Sequence, residues 1–331
     1  MSDALLKLDR LTFQQKQQWE QDGYLVLPQA MPREQVDALC REVDRLDQLS
    51  QAKGRDAGAP LDLNNIIDAP TENLYTDQPD ATRILEPRAN NLFLNLLDHS
   101  SHLGAVCDLM GAAIHMAWSH LMVRPPSPTP ANRWHRDGPK PYLFPRVDGR
   151  MPCQWIRVGW FLTDMDQQDM GNLCLIPGSH RKDFPNISKG LDHALAITSF
   201  TRFKQVAKLD EGVPGARQIL AKAGDIILLH NALYHCVARN TSNVSRKNIY
   251  YVYTPIWQRL GDRDASSPQL IARCSPVRRQ LLGALSSPST NGGIHPFDSG
   301  VPLVSLFEGT GFQETWSRLD EAYVRRTQGT D

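Results

Sequence analysis

Apolar and polar positions follow two different periods along this chain, and the change of period divides it. The spacing over 12–46 is helical. Thr12 and Gln15 sit three apart in a capping-box pattern ahead of a segment with Phe13 and Trp19 among polar residues, which ends near Asp22-Gly23. Tyr24-Leu25-Val26-Leu27 reads as a short strand. Pro32 and Glu34 then open a second helix that places Val36, Leu39, Val43 and Leu46 on one face. Residues 50–80 lose all periodicity and are rich in Gly, Asp, Asn and Pro, which predicts a long surface loop or lid. A further helix or two is predicted over 92–110.

Beyond that point the period falls to two. Strands are predicted over 114–123, closed by Arg124-Pro125-Pro126, and over 155–162. Others fall at 173–176, in the apolar run that follows Gly224-Asp225, and at 248–253. A Pro-rich stretch spans 139–152, and 184–217 reads as an insertion between strands. After Pro255 the pattern returns to loop and helix, at 268–285 and 304–326. Many short strands separated by turn residues predict a sandwich or barrel. The expected organisation is one domain over 1–331: a helical segment at about 10–110, a β core at about 112–256 and an extension at 257–331.

Composition narrows the function classes. Lys plus Arg and Asp plus Glu both number 36, so the balanced charge gives no reason to expect nucleic acid or an anionic membrane as partner. No apolar run approaches the roughly 20 residues of a membrane span, and the N-terminus lacks the basic-then-apolar pattern of a secretory signal. The six cysteines (40, 107, 153, 174, 236 and 274) form no CxxC pair and read as reduced thiols, which points to the cytoplasm. The oligomeric state is not legible.

The chemistry centres on Trp134-His135-Arg136-Asp137. On an extended segment, residues two apart share a face, so His135 and Asp137 present an imidazole and a carboxylate to one point. These are two members of a two-His, one-carboxylate set for non-haem Fe(II). A third ligand is needed. His235 lies 98 residues beyond Asp137, after the apolar run, and His230 in the run itself competes for the role. Arg246 follows His235 by eleven residues, and its planar fork suits a carboxylate.

This ordered set resembles the phytanoyl-CoA dioxygenase family of Fe(II)/2-oxoglutarate oxygenases. The likeness extends to Gly171-Asn172-Leu173 with Pro177-Gly178-Ser179-His180, and to the opening helix, Asp22-Gly23-Tyr24-Leu25-Val26-Leu27, helix; it is weak over 257–331. The resemblance implies a double-stranded β-helix (jelly roll) with flanking helices. It implies Fe(II) on His135, Asp137 and His235, preferred to His230 for its spacing to Arg246, and 2-oxoglutarate clamped by Arg246. Trp160 and His120 stand where relatives carry an aromatic and a polar residue at the co-substrate pocket. Arg136, Lys140, Tyr142 and Arg146 stand in or beside the loop that borders the substrate in relatives. Halogenating relatives replace the ligand carboxylate with a small residue, so Asp137 argues against a halogenase of that kind; desaturation, ring formation and further oxidation stay open beside hydroxylation. The implied reaction consumes 2-oxoglutarate and O2, oxidises an unactivated C–H of a small molecule, and releases succinate and CO2. Two alternatives stay open: a metal-dependent oxygenase or isomerase of the same fold that does not use 2-oxoglutarate, and a non-catalytic relative.

Overall fold

A computed structural model of the protein describes residues 8–52, 61–62, 87–137, 152–181, 213, 215–258, 268–284 and 302–305. The expected capping box forms: the Gln15 amide donates to Thr12 Oγ1 at 3.2 Å and the Thr12 amide donates to Gln15 Oε1 at 2.9 Å, starting α1 (Phe13–Asp22). Of its two large apolar residues, Trp19 is buried and Phe13 is exposed. β1 (Tyr24–Leu27) and α2 (Arg33–Ala52) follow, with Val36, Leu39, Val43 and Leu46 all buried along one stripe.

The remaining elements are β2 (Leu61–Asp62), α3 (Pro87–Leu96), α4 (Ser100–Met110), β3 (Ile114–Arg124), β4 (Asn132–His135), β5 (Ile156–Phe161), β6 (Leu173–Leu175), β7 (Arg217–Gln218), β8 (Ile226–His230), β9 (His235–Val237), β10 (Arg246–Pro255), α5 (Pro268–Ala272), α6 (Pro276–Leu281) and α7 (Pro302–Ser305). Within the stretch read as loop, Leu61 and Asp62 pair with Leu121 and His120 at a sheet edge. The rest of 50–80 beyond residue 52, the stretch 139–151, the insertion between 182 and 212 and the tail from 306 lie outside the described residues.

Among the described residues, ten strands make two antiparallel sheets, one of six in the order β1-β8-β5-β10-β3-β2 and one of four in the order β4-β9-β6-β7. They face each other as a jelly roll. Phe161, Ile227 and Leu229 from the large sheet meet Leu173 and Leu175 from the small one in one buried cluster. The opposite face of the large sheet carries the helices, with Ile156, Val158, Trp160, Leu228, Ile249, Tyr251 and Tyr253 packed against residues of α1 to α4. Two buried tyrosines tie the layers: Tyr251 Oη donates to the Phe93 carbonyl at 2.7 Å and Tyr253 Oη to the Leu97 carbonyl at 2.8 Å. Strand parity therefore sorts β5 and β10. Even positions of β5 and odd positions of β10 face helices, while Arg157, Gly159, Arg246 and Tyr250 face the space between the sheets.

Candidate metal centre

The small sheet supplies the convergence. β4 and β9 are antiparallel with His135 directly opposite His235, and their rings lie 4.3 Å apart between centroids at 50°. Asp137, two residues past His135, returns to the same side. Its Oδ1 lies 3.5 Å from His135 Nε2 and its Oδ2 3.6 Å from His235 Nε2. All three prospective donor atoms fall within 4.8 Å of one another. Donors bound at right angles to a common ion about 2.1 Å away would stand ~3 Å apart, so the group is sized for one ion.

The protonation states suit a metal. His235 is 2% exposed, and its Nδ1–H donates to the Leu233 carbonyl at 3.0 Å. That bond fixes the tautomer and leaves Nε2 bare; it is buried and has no hydrogen-bond partner. Burial pulls the imidazole down to about 4, against the Asp137 carboxylate, which pushes it up, so the ring is neutral near pH 7. Burial alone would raise the Asp137 carboxyl. Arg157 and the two histidines outweigh it and hold the group well below the usual carboxylate range. Two imidazoles and one carboxylate are the donor set of non-haem Fe(II) oxygenases, and the bare His235 Nε2 is the atom such an ion would satisfy.

A cavity opens beside this group, walled by Met122, Leu173, Ile227, Leu229 and Val237, with polar lining from Asn132, Arg124, Arg157, Arg246 and Tyr250. Arg246 is 2% exposed. Its Nε donates to Asn248 Oδ1 and its Nη2 to Tyr250 Oη, both at 2.5 Å, and it has no carboxylate partner among the described residues. Arg124 stands directly across from it in the β10–β3 register. Burial and the Arg246 charge both pull Arg124 below its ordinary value. Two cationic groups concentrated in a buried end of a cavity favour an anion between them. Gly171 makes this end possible: its φ is +78°, and a Cβ there would stand 3.3 Å from Arg246 Cδ.

The other expected residues fare differently. His120 lies on the cavity-facing side of β3, opposite Tyr250 in register. Trp160 does not reach the pocket. It occupies an even position of β5, is fully buried on the helix side, and packs edge-on to His102 and Tyr251 at 5.0 and 5.1 Å. The pocket-facing neighbour is Gly159, where a Cβ would meet Tyr250 Cε1 at 2.6 Å, so the Tyr250 ring fills the space of the missing side chain. Arg136 turns away from the metal group. Its guanidinium lies 4.0 Å from the centroid of the Tyr234 ring and donates to the Ser179 carbonyl at 2.7 Å, bracing the Pro177–His180 turn. His230 is apart from the triad, tilted against His180 and Trp19 at 4.8 and 5.8 Å. Lys140, Tyr142 and Arg146 lie outside the described residues. Sequence reasoning passed over Arg124, Tyr250 and Arg157. The signal for the last was its charge in an otherwise apolar strand, a position alternate to core residues.

The chain is 24% identical over 259 residues to ectoine dioxygenase of Bordetella parapertussis, covering 74% of this chain and 76% of that protein. Ectoine dioxygenase of Bordetella bronchiseptica matches to the same extent. Among solved structures, HygX from Streptomyces hygroscopicus with nickel and 2-oxoglutarate bound superposes with a TM-score of 0.54 at 19% identity, covering 79% of this chain and 94% of that one. The likeness is one of fold. The family model for phytanoyl-CoA dioxygenase matches residues 19–248. That span takes in both sheets apart from β10 beyond Asn248, together with His135, Asp137, His235 and Arg246, and the chain belongs to the phytanoyl-CoA dioxygenase family.

Proposed function

We propose that this protein is an Fe(II)/2-oxoglutarate-dependent dioxygenase that hydroxylates an unactivated C–H of a small molecule. The observation that carries the reading is the convergence of His135, Asp137 and His235 beside a cavity that ends in Arg246 and Arg124. His135 Nε2, His235 Nε2 and the Asp137 carboxylate would hold the ion. When bound, iron supplies the redox chemistry that couples loss of CO2 from 2-oxoglutarate to oxygen insertion, so that 2-oxoglutarate, O2 and R–H become succinate, CO2 and R–OH.

The chain's own residues bind and orient. Arg246 is set to clamp one carboxylate of 2-oxoglutarate, with Asn248 and Tyr250 fixing the guanidinium plane and Arg124 adding charge from the facing strand. Ile227, Leu229, Leu173 and Val237 keep the cavity wall apolar and exclude water. No side chain is required as general acid or base for C–H hydroxylation. A small-molecule substrate is supported by the curated relatives, which are ectoine dioxygenases. A cytoplasmic setting is supported by six free cysteines; no described helix is long and apolar enough to cross a membrane.

The deciding experiment loads the protein with Fe(II) anaerobically, adds 2-oxoglutarate and records the visible spectrum. A weak charge-transfer band, lost in His135→Ala and Asp137→Ala, supports the reading. Iron binding with no band removes 2-oxoglutarate from the account, and failure to bind iron points to a non-catalytic relative.

A further inference from the structure

Arg157 is the charged member of a strand whose other described side chains are apolar. Ile156, Val158 and Trp160 pack into the helix-side core, so parity turns Arg157 into the space between the sheets. There its Nη2 meets Asp137 Oδ2 at 2.5 Å, while the nearest histidine approach to the other oxygen, Oδ1, is His135 Nε2 at 3.5 Å. The guanidinium is held from the opposite side as well. Its Cζ lies 5.6 Å from the centroid of the Tyr250 ring, and the Tyr250 hydroxyl accepts from Arg246. Gly159 keeps the ring in place by leaving it room. A continuous set of contacts thus runs from the metal-facing carboxylate to the co-substrate clamp: Asp137, Arg157, Tyr250, Arg246.

We infer that Arg157 is a positioning residue that fixes Asp137 as a one-oxygen ligand. The inference rests on the functional reading above only in taking Asp137 as a metal ligand. A carboxylate can meet a metal through one oxygen or two. The charge-assisted bond from Arg157 engages Oδ2, which also lies 3.6 Å from His235 Nε2, and leaves Oδ1, 3.5 Å from His135 Nε2, as the oxygen to meet the ion. Holding Asp137 to a single contact leaves open the positions that a bidentate co-substrate and dioxygen require. Because Arg157 belongs to the large sheet and Asp137 to the segment following the small one, the contact also sets the distance between the two layers at the metal. Outer partners of this kind orient metal ligands throughout metalloproteins, and their loss typically weakens metal binding 10–100-fold.

The test uses Co(II) alone as the probe, because its visible bands report coordination number and geometry without turnover. Wild type, Arg157→Met and Arg157→Lys are titrated with Co(II), and melting temperature is recorded in parallel. The expected result for Arg157→Met is about tenfold or weaker Co(II) binding with altered band intensities. Arg157→Lys, which keeps a donor but not the fork, should restore part of both. If Arg157→Met retains the wild-type spectrum and affinity, the inference is overturned, whether or not its melting temperature falls; a fall alone would mark a plain tie between sheets. Should Arg157→Met fail to fold, Arg157→Lys decides by the same criterion. A wild-type Co(II) spectrum indifferent to added 2-oxoglutarate would sink the functional reading and leave the Co(II)-only comparison valid. No Co(II) binding by wild type would overturn both.

Discussion

At the scale of single residues, Arg246 is the proposed clamp for the co-substrate. It is buried, held by Asn248 and Tyr250, and lacks an acidic partner among the described residues. Truncating one side of a buried, hydrogen-bonded charge pair costs about 2–5 kcal/mol. Arg246→Ala should therefore weaken 2-oxoglutarate binding by about 30-fold or more, measured by titrating the metal-loaded protein, with metal affinity unchanged. Gly159→Ala tests the neighbouring contact. The new methyl would stand 2.6 Å from Tyr250 Cε1, so the ring must shift and carry Arg246 with it. A drop in co-substrate affinity, together with a loss of about 1–3 kcal/mol in urea-measured stability, is expected. The grouping of His135, Asp137 and His235 near Arg246 was legible in the sequence because the chemistry proposed for them fixes both residue type and spacing. Trp160 was misplaced because large aromatics, Trp160 and Phe161, are buried on opposite faces at the end of β5, so residue type there does not say which face meets the cavity. Arg157 belongs to no motif; its role depends on a register that only the folded sheets define.

At the scale of elements, the helices are keyed to the sheet by apolar stripes that periodicity reveals, and the α1 capping box was readable to the residue. The two-residue strands β2 and β7 were not, since two residues carry no period. Polar anchors were equally invisible. The Asp108 carboxylate at the end of α4 is one: its side chain is 1% exposed and it accepts from Arg10 Nε at 3.0 Å, the Leu11 amide at 2.8 Å and Lys16 Nζ at 3.2 Å. It pins the segment leading into α1 onto the helical layer. Burial alone would raise its carboxyl, but the bonds from Arg10 and Leu11 outweigh burial and hold it below its ordinary value. A depressed folded value means that the stabilisation is fully present above the unfolded value, about pH 4, and is lost as pH falls through the folded value. Asp108→Asn should cost about 2–3 kcal/mol at pH 7. The gap to wild type should narrow as pH falls below about 4, read from urea unfolding at matched pH values.

At the scale of the whole molecule, the site is divided between the two layers, and this division fixes the order in which ligands stabilise the fold. The ion would be held by His135 on β4 and His235 on β9, both in the small sheet, and by Asp137 two residues beyond the end of β4. The clamp residues Arg246 and Arg124 are on β10 and β3 of the large sheet. On the proposed reading a metal alone would stabilise one layer, whereas 2-oxoglutarate held between the ion and Arg246 would span both. A ligand present at 100 times its dissociation constant adds about 2.7 kcal/mol, which for a chain of this size corresponds to a shift in melting temperature of about 5 °C. Thermal unfolding should accordingly rise by a few degrees with Co(II), and again with 2-oxoglutarate only when Co(II) is present. Asp137→Ala should abolish both steps, and Arg246→Ala the second alone. A full 2-oxoglutarate shift without metal, or one that survives Arg246→Ala, would place the co-substrate somewhere other than between the sheets.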